Sequence, residues 1–410
     1  MTNGNLIAAL DLGSTRTCAV IAQITGDDRA SGAKILGVGI SRETGVRRGV
    51  VRDIDETTRS IVDAMRDAER MAGVQVPNIH CGIAGEHIQV RTSDGLASVS
   101  GEEISKADVE RVNDVATAIT MGPDRELLHS IPQEYRVDDQ DGISDPQGMT
   151  GLRLEVHMYL VSVQTAVAQN LRKSVERAGY RVGQLVLEPL AASMAVLTEE
   201  ERELGCVLVD LGGGSTGVGV FKDGKIQHVA SLPYAGAHIT SDIVQGLSVT
   251  QADAERLKEK WGMAYTPMVD PDETIDLPST PGQGVRQAKR ELLAHIIHQR
   301  LDEILGLAQQ EIEKTGLAGN LPAGVVVTGG GAHLPGVVEL AREAFALPAR
   351  AGAPLHGISG LVDSVQAPRY TVAVGLLLYA AARETHARAA AESGTGKILS
   401  SVKRWLQDFF

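Results

Sequence analysis

A chain of 410 residues with 43% apolar content carries enough material for two sizeable cores or one bilobal body with insertions. Its formal charge of −13 argues against a general nucleic-acid surface, which needs clustered cations facing phosphate. Cys18, Cys81 and Cys206 stand apart without metal-ligand spacing, and no basic region followed by a signal-like apolar run opens the chain, so the expectation is a soluble body in a reducing cytoplasm.

The first apolar run ends in Leu10-Asp11-Leu12-Gly13-Ser14-Thr15 and reads as a buried strand, a sharp turn and a second strand over 17–24. A helix follows over 54–72, with Ile61, Met65 and Ala68 at helical spacing. Residues 86–162 read as an inserted small domain. Within it Ser100-Gly101-Glu102-Glu103 offers a helix start, 108–119 carry a helical apolar face, 135–151 read as loop and 157–163 as a strand. A helix over 166–178 leads back to the core.

The turn then recurs as Val209-Asp210-Leu211-Gly212-Gly213-Gly214-Ser215-Thr216, followed by a strand over 218–221. A helical block spans 239–261, a loop with four prolines spans 264–284, and a long helix is expected over 285–314. The strand at 324–327 runs into Thr328-Gly329-Gly330-Gly331, and 370–382 reads as a buried helix. Residues 384–396 lack an apolar face and end in Ser393-Gly394-Thr395-Gly396, the composition of a flexible linker.

One glycine-rich turn is ordinarily just the end of a strand. Three in this order, two sharing Asp-Leu-Gly, read as a duplicated phosphate clamp, because glycine leaves backbone N–H groups open to an anion. Asp11 and Asp210 suit a hydrated Mg²⁺ beside those phosphates, since that cation takes oxygen ligands and keeps much of its water. Buried carboxylates that cap turns are the plainer alternative. No segment fits the P-loop pattern, and no G-x-G-x-x-G opens a helix.

The last fourteen residues differ from the rest. Ile398, Leu399, Val402, Trp405, Leu406, Phe409 and Phe410 fall on one helical face, and Lys397, Lys403 and Arg404 make the other face basic. Two of the four phenylalanines and one of the two tryptophans lie here. An aromatic, cationic helix too short to span a bilayer fits an interfacial anchor on anionic lipid, with docking on the body or a partner groove as the competing use.

The motif order (phosphate-1 loop, connecting helix, phosphate-2 loop, adenosine loop, second connecting helix) resembles the actin-like ATPase superfamily. Within it the chain is similar nearly end to end to the bacterial cell-division FtsA family. That similarity is carried by Gly49-Val50-Val51-Arg52-Asp53, Gly85-Glu86-His87-Ile88, Ile131-Pro132-Gln133-Glu134-Tyr135, Gly148-Met149-Thr150-Gly151-Leu152-Arg153-Leu154-Glu155 and Glu188-Pro189-Leu190-Ala191-Ala192-Ser193. The resemblance implies an α/β, actin-like bilobal ATPase fold of two ribonuclease-H-like halves, with two inserted subdomains and a C-terminal amphipathic helix. The expected division is 1–85 with 163–204 as first core subdomain and 86–162 as its insertion. The second core subdomain is 205–236 with 315–383, and 237–314 forms a second, partner-docking insertion. A linker at 384–396 precedes a membrane-targeting helix at 397–410.

The resemblance also assigns roles. Asp11 and Asp210 sit on the metal side, holding Mg²⁺ through water. Gly13, Ser14, Thr15, Arg16, Gly212, Gly213, Gly214, Ser215 and Thr216 surround the phosphates, and Gly236 opens a helix whose N-terminus faces them. Glu255 and Lys258 contact the nucleoside, Gly329, Gly330 and Gly331 pass against the adenosine, and Glu188 orients the attacking water. A first-turn glutamate favoured by the helix dipole explains Glu188 equally well. Two departures point to firm ATP binding with slow hydrolysis at most: Gly217 replaces the usual acid after the second loop, and Cys18 stands where a phosphate-binding lysine is common. Strand alternation is expected to weigh against Arg16 as its replacement.

As a member of that family the chain would polymerise on the cytoplasmic face of the inner membrane at the septum, as a peripheral protein. It would anchor the tubulin-like FtsZ ring by its C-terminal tail and help recruit later division proteins, with Arg290 and Arg300 on the docking helix. Its partners would be the FtsZ tail, further copies of itself, anionic lipids and other divisome proteins, without nucleic acid. The alternatives are an actin-like pilus-assembly ATPase, or a sugar kinase of the same fold.

Overall fold

A computed structural model describes residues 6–27, 30–119, 121–278 and 286–392. The first half opens with an antiparallel meander, β1 (Leu6–Leu12), β2 (Arg16–Asp27) and β3 (Ala30–Arg42), then a short hairpin, β4 (Val46–Arg47) and β5 (Val50–Val51). Helix α1 (Ile54–Ala72) is started by Asp53, whose carboxylate accepts from Asp55 N and Glu56 N at 2.9 and 3.0 Å, and it ends at Gly73 in the left-handed region. Its apolar stripe, Ile61, Ala64, Met65 and Ala68, is fully buried against the sheet.

After β6 (Asn78–Ile83) the chain leaves for an inserted unit: β7 (Ile88–Ser98), α2 (Lys106–Thr117), β8 (Arg125–Val137), β9 (Gln140–Ile143) and β10 (Arg153–Gln164). Its strands run β7-β10-β8-β9 and pack with α2 around Val112, Ala116, Tyr135, Leu154 and Met158. Here the sequence expectations need two corrections. The helix start is Ser105, which caps Asp108 N and is capped in return by the Asp108 carboxylate, so Ser100 is not the cap. Residues 135–151 contain the β8–β9 hairpin, because Asp138 accepts left-handed backbone (φ 52°) and its carboxylate ties down Leu152 N and Arg153 N.

The chain returns through α3 (Thr165–Arg177), β11 (Arg181–Leu187), α4 (Glu188–Val196) and α5 (Glu199–Leu204). A second meander follows, β12 (Cys206–Leu211), β13 (Thr216–Lys222) and β14 (Lys225–Leu232). Helices α6 (Gly236–Leu247) and α7 (Gln251–Trp261) divide the expected helical block at Ser248, which adopts φ 49°. The expected loop at 264–284 holds β15 (Thr274–Leu277), paired with β16 (Arg286–Lys289), so the long helix α8 (Arg290–Glu313) begins later than its sequence pattern predicts.

The last elements are β17 (Gly324–Thr328), α9 (Val337–Phe345), β18 (Ala349–Ala351), β19 (Ile358–Gly360) and α10 (Thr371–Glu392). Helix α10 carries on through 384–392, the first part of the expected linker, where alanine, arginine and glutamate favour helix without needing an apolar face. The remaining linker residues and the amphipathic segment 397–410 lie outside the described residues. Among the described residues no helix is long and apolar enough to cross a membrane.

The two halves repeat one topology. The first sheet runs β11-β6-β1-β2-β3, extended by β19, and the second runs β18-β17-β12-β13-β14. Helices α4 and α10 lie between them, sharing one core with Val20 and Val186 of the first sheet and Leu208 and Phe221 of the second. Where the two helices cross there is no space for a side chain: a methyl on Gly375 would sit 1.9 Å from the Ala191 carbonyl oxygen. Gly375→Leu is therefore expected to cost at least about 3 kcal/mol in denaturant unfolding. Gly306→Ala, mid-way along α8 with open space around it, is expected to add about 0.5–1 kcal/mol.

Candidate functional site

The central strand of each half ends at one cleft of about 1230 Å³ between the lobes. Ligand sites in open α/β sheets gather at the carboxyl ends of the strands, and this duplicated arrangement brings two such ends together. Asp11 stands at the end of β1, opposite Cys18, and Asp210 at the end of β12, opposite Gly217. The third glycine turn follows β17, the parallel neighbour of β12. A methyl on Gly214 would lie 2.2 Å from Ser14 Oγ, so the two phosphate-type loops meet across the cleft. Gly329 (φ 81°) admits no side chain either, since Asp210 Oδ1 would be 2.1 Å from its methyl.

Asp11, Asp210 and Glu188, the last in the first turn of α4, are three of the carboxylates that line this space. Burial raises Asp11 to about 6, against the pull of Arg16. Burial and then the neighbouring Asp11 raise Asp210 to about 7. Glu188 is pushed well above the usual range by burial, then by Asp11 and Asp210. Three acids crowded together raise one another's affinity for protons, and of the lining cations Arg16 is the one that offsets this at Asp11 and Asp210. A hydrated divalent cation supplies further positive charge. Among the described residues no three His, Cys, Asp or Glu side chains converge to ligate a metal directly.

Asp11, Gly13, Ser14, Thr15, Arg16, Asp210, Gly212, Gly213, Gly214, Ser215, Gly236, Glu255, Lys258, Gly329, Gly330, Gly331 and Glu188 all line the cleft. Thr216 does not: it is fully buried and its hydroxyl donates to Tyr234 O at 2.7 Å. As the first residue of β13 it turns away from the loop, so its assignment to the phosphates is corrected. Arg16 lines the cleft where the resemblance assigned it, and only the strand-alternation argument against it is corrected. Two residues from Cys18, it shares that strand face, reaches the cleft, and donates to Arg369 O at 2.8 Å.

Lys258 donates to Gly236 O, Thr240 Oγ1 and Glu255 Oε2 at 3.1, 2.8 and 2.7 Å. All three of its protons are thus used in fixing the start of α6, and Glu255 is the more exposed partner at the cleft wall. Away from the cleft, Arg290 pairs with Glu273 at 2.7 Å and donates to Trp261 O. Arg300 forks onto Asp242 at 2.5 and 3.1 Å and pairs with Glu303. Both arginines work inside the second insertion, so neither stands as a free docking cation.

One residue at the site had no sequence signal. Glu43 is 3% exposed and its carboxylate accepts from Thr17 Oγ1 at 2.8 Å, Gly45 N at 2.6 Å, Thr44 N at 2.9 Å and Ser60 Oγ. Its own N–H donates to Thr15 O at 3.1 Å, which ties the first loop to β4 and α1. Ser60 Oγ keeps a second acceptor in Thr57 O at 2.9 Å and Thr44 is exposed, so Glu43→Ala chiefly strands the buried Gly45 N–H and is expected to cost about 1–3 kcal/mol in denaturant unfolding.

Residues 207–375 match the family described as cell division protein FtsA, and residues 85–162 match the SHS2 domain inserted in that family. The cell division protein FtsA of Pseudomonas aeruginosa is 36% identical across 100% of this chain and 99% of its own length. That of Escherichia coli is 35% identical across 99% of this chain and 97% of its own. Among solved structures, the PilM-PilN type IV pilus biogenesis complex aligns with a TM-score of 0.65 at 15% identity, covering 91% of this chain and 97% of the other. MreB5 of Spiroplasma citri bound to ADP aligns with a TM-score of 0.57 at 14% identity, covering 96% and 99%. These likenesses carry the actin-like fold. The full-length identity with curated relatives carries the family: the chain belongs to the FtsA family of cell division proteins.

Proposed function

We propose that the protein binds Mg²⁺-ATP in this cleft and assembles on the membrane as the link between lipid and the division ring. The observation that carries the nucleotide reading is the meeting of three glycine turns and three crowded acids in one cavity large enough for a nucleoside triphosphate. Backbone N–H groups of both loops hold the phosphates, with Arg16 as added cation, and Asp11 and Asp210 hold Mg²⁺ through its water. The adenosine lies along Gly329, Gly330 and Gly331, with Glu255 facing the nucleoside. That MreB5 of Spiroplasma citri is described as bound to ADP and to AMPPNP supports this use of the fold.

Glu188 is the candidate to orient an attacking water, and a carboxyl whose affinity for protons is raised suits general-base work. Phosphoryl transfer depends mostly on positioning and charge. Without an acid at Gly217, hydrolysis is slow.

Family membership supports the rest of the reading: polymers on the cytoplasmic face of the inner membrane at the septum, anchorage by residues 397–410, capture of the FtsZ C-terminal tail by the second insertion, and recruitment of later division proteins. With Arg290 and Arg300 engaged internally, docking of that tail uses other groups on the insertion. Electron microscopy of the protein on an anionic lipid monolayer tests the assembly. Filaments with Mg²⁺-ATP and bare lipid without nucleotide are expected; a bare monolayer in both conditions overturns it.

A further inference from the structure

The β4–β5 hairpin turns at Arg48 and Gly49, with φ of 50° and 73°, the left-handed pair that a two-residue turn demands. Its tip is fastened to the first lobe. Arg48 N donates to Ser14 Oγ at 3.0 Å, and Gly49 lies so close to the Ala84 carbonyl that a methyl would be 1.8 Å from the oxygen. The Arg48 guanidinium crosses to the other lobe, where Nη2 lies 3.3 Å from His238 Nε2 on α6.

That contact is chemically frustrated. Ala235 N–H donates to His238 Nδ1 at 3.2 Å, so Nδ1 carries the lone pair and the proton of the neutral ring sits on Nε2. Burial, then Arg48 and Arg300, push this imidazole below its usual range against the pull of Asp242 and the Ala235 backbone, a shift that favours the neutral ring. Arginine only donates. Two N–H groups therefore face each other, and neither can accept from the other. Tyr234 packs on the imidazole with ring centroids 5.1 Å apart, which keeps the ring aimed at Arg48. Arg47, Gly49, Ala237 and Ile239, the chain neighbours of the pair, line the cleft, while Arg48 and His238 stand just outside that lining at its exposed edge; a methyl on Gly214 of the second loop would lie 3.2 Å from Arg48 N.

We propose that Arg48 and His238 form an anion clamp across the rim of the cleft, closing on a phosphate oxygen that accepts from both. The oxygen belongs either to the terminal phosphate of a bound triphosphate or to free phosphate; the first source rests on the nucleotide reading above. A charged acceptor removes the donor–donor conflict and joins the lobes through two charge-assisted bonds. A diphosphate, one phosphoryl group shorter, leaves the conflict in place. The clamp thus gives the lobes a closed state that depends on the third phosphate.

Calorimetry with Mg²⁺ at pH 7.5 tests this on the full chain, using ADP, a non-hydrolysable ATP analogue, and inorganic phosphate added to the ADP complex. His238→Phe keeps the ring against Tyr234 and removes the donor; Arg48→Gln removes the charge. Each variant is expected to lose about tenfold or more in affinity for the analogue while ADP affinity, which also reports correct folding, stays within about twofold. A loss confined to the added phosphate supports the clamp with free phosphate as its ligand. Equal losses on ADP and analogue, or no change on either analogue or phosphate, overturn it. If the unaltered chain binds neither nucleotide, the nucleotide reading fails. The clamp is then judged by inorganic phosphate alone: a thermal shift in the unaltered chain that both variants lose supports it, and no shift overturns it.

Discussion

Removal of residues 397–410 is expected to abolish flotation of the protein with anionic liposomes and to leave its ATP affinity within about twofold of the full chain. The expectation comes from sequence spacing: at helical periodicity seven apolar residues of this segment would share one face and three cations the other, the pattern of a helix bound to a charged interface. The reason to expect total loss is that the charge elsewhere opposes the membrane: the whole chain carries −13 although this segment is basic. A helix of about fourteen residues is marginal in water, so one copy is expected to hold weakly and several copies together firmly. Two further measurements follow from the same physics. Trp405→Glu within the intact chain should match the deletion, and raised salt should weaken flotation by screening the cations. Retained flotation after the deletion contradicts the anchor.

Asp210→Asn produces two effects of opposite sign. It is expected to lower Mg²⁺-ATP affinity by about tenfold to a hundredfold, since the proposed role of Asp210 is a charge-assisted contact to the hydrated cation. It also raises the melting temperature of the nucleotide-free protein by a few degrees, about 1–2 kcal/mol, because a crowded buried carboxylate is relieved. The pH dependence fixes the sign. Asp11 and Asp210 have folded-state values of about 6 and 7 against an ordinary 3.8, so the folded protein binds more protons than the unfolded chain between about pH 4 and pH 7. Stability of the nucleotide-free protein therefore falls as pH rises through that window and levels off above it. Asp210→Asn flattens the slope, and Mg²⁺-ATP offsets it in the unaltered chain. A variant that keeps its ATP affinity, or melts lower without nucleotide, contradicts the cation role of Asp210.

The glycine loops were legible in the sequence because their signal is local: an apolar run, an aspartate, then small residues. The duplication was legible for the same reason, and both sheets carry it in matching strand order. Thr216 misled because one step along a strand turns a hydroxyl from the loop into the core. The alternation argument against Arg16 misled in the other direction, since Arg16 shares a strand face with Cys18. Arg290 and Arg300 read as free cations until Glu273 and Asp242, brought from other elements, stood beside them.

Other features depend on tertiary placement and left no pattern. Glu43 acts through Thr17, Gly45 and Ser60, which three separate elements supply. The pairing of Arg48 with His238 depends on a hairpin whose strands have two residues each, too short for any periodicity. The helix through 384–392 was read as linker because it lacks an apolar stripe, although helix propensity alone suffices there.

The central claim is that the cleft closes on a triphosphate with its cation. Amide hydrogen exchange of the full chain, with and without Mg²⁺-ATP, tests it most directly. Protection is expected to rise together in three separate segments, 11–16, 212–217 and 329–334. Unchanged exchange at all three under saturating nucleotide would contradict it.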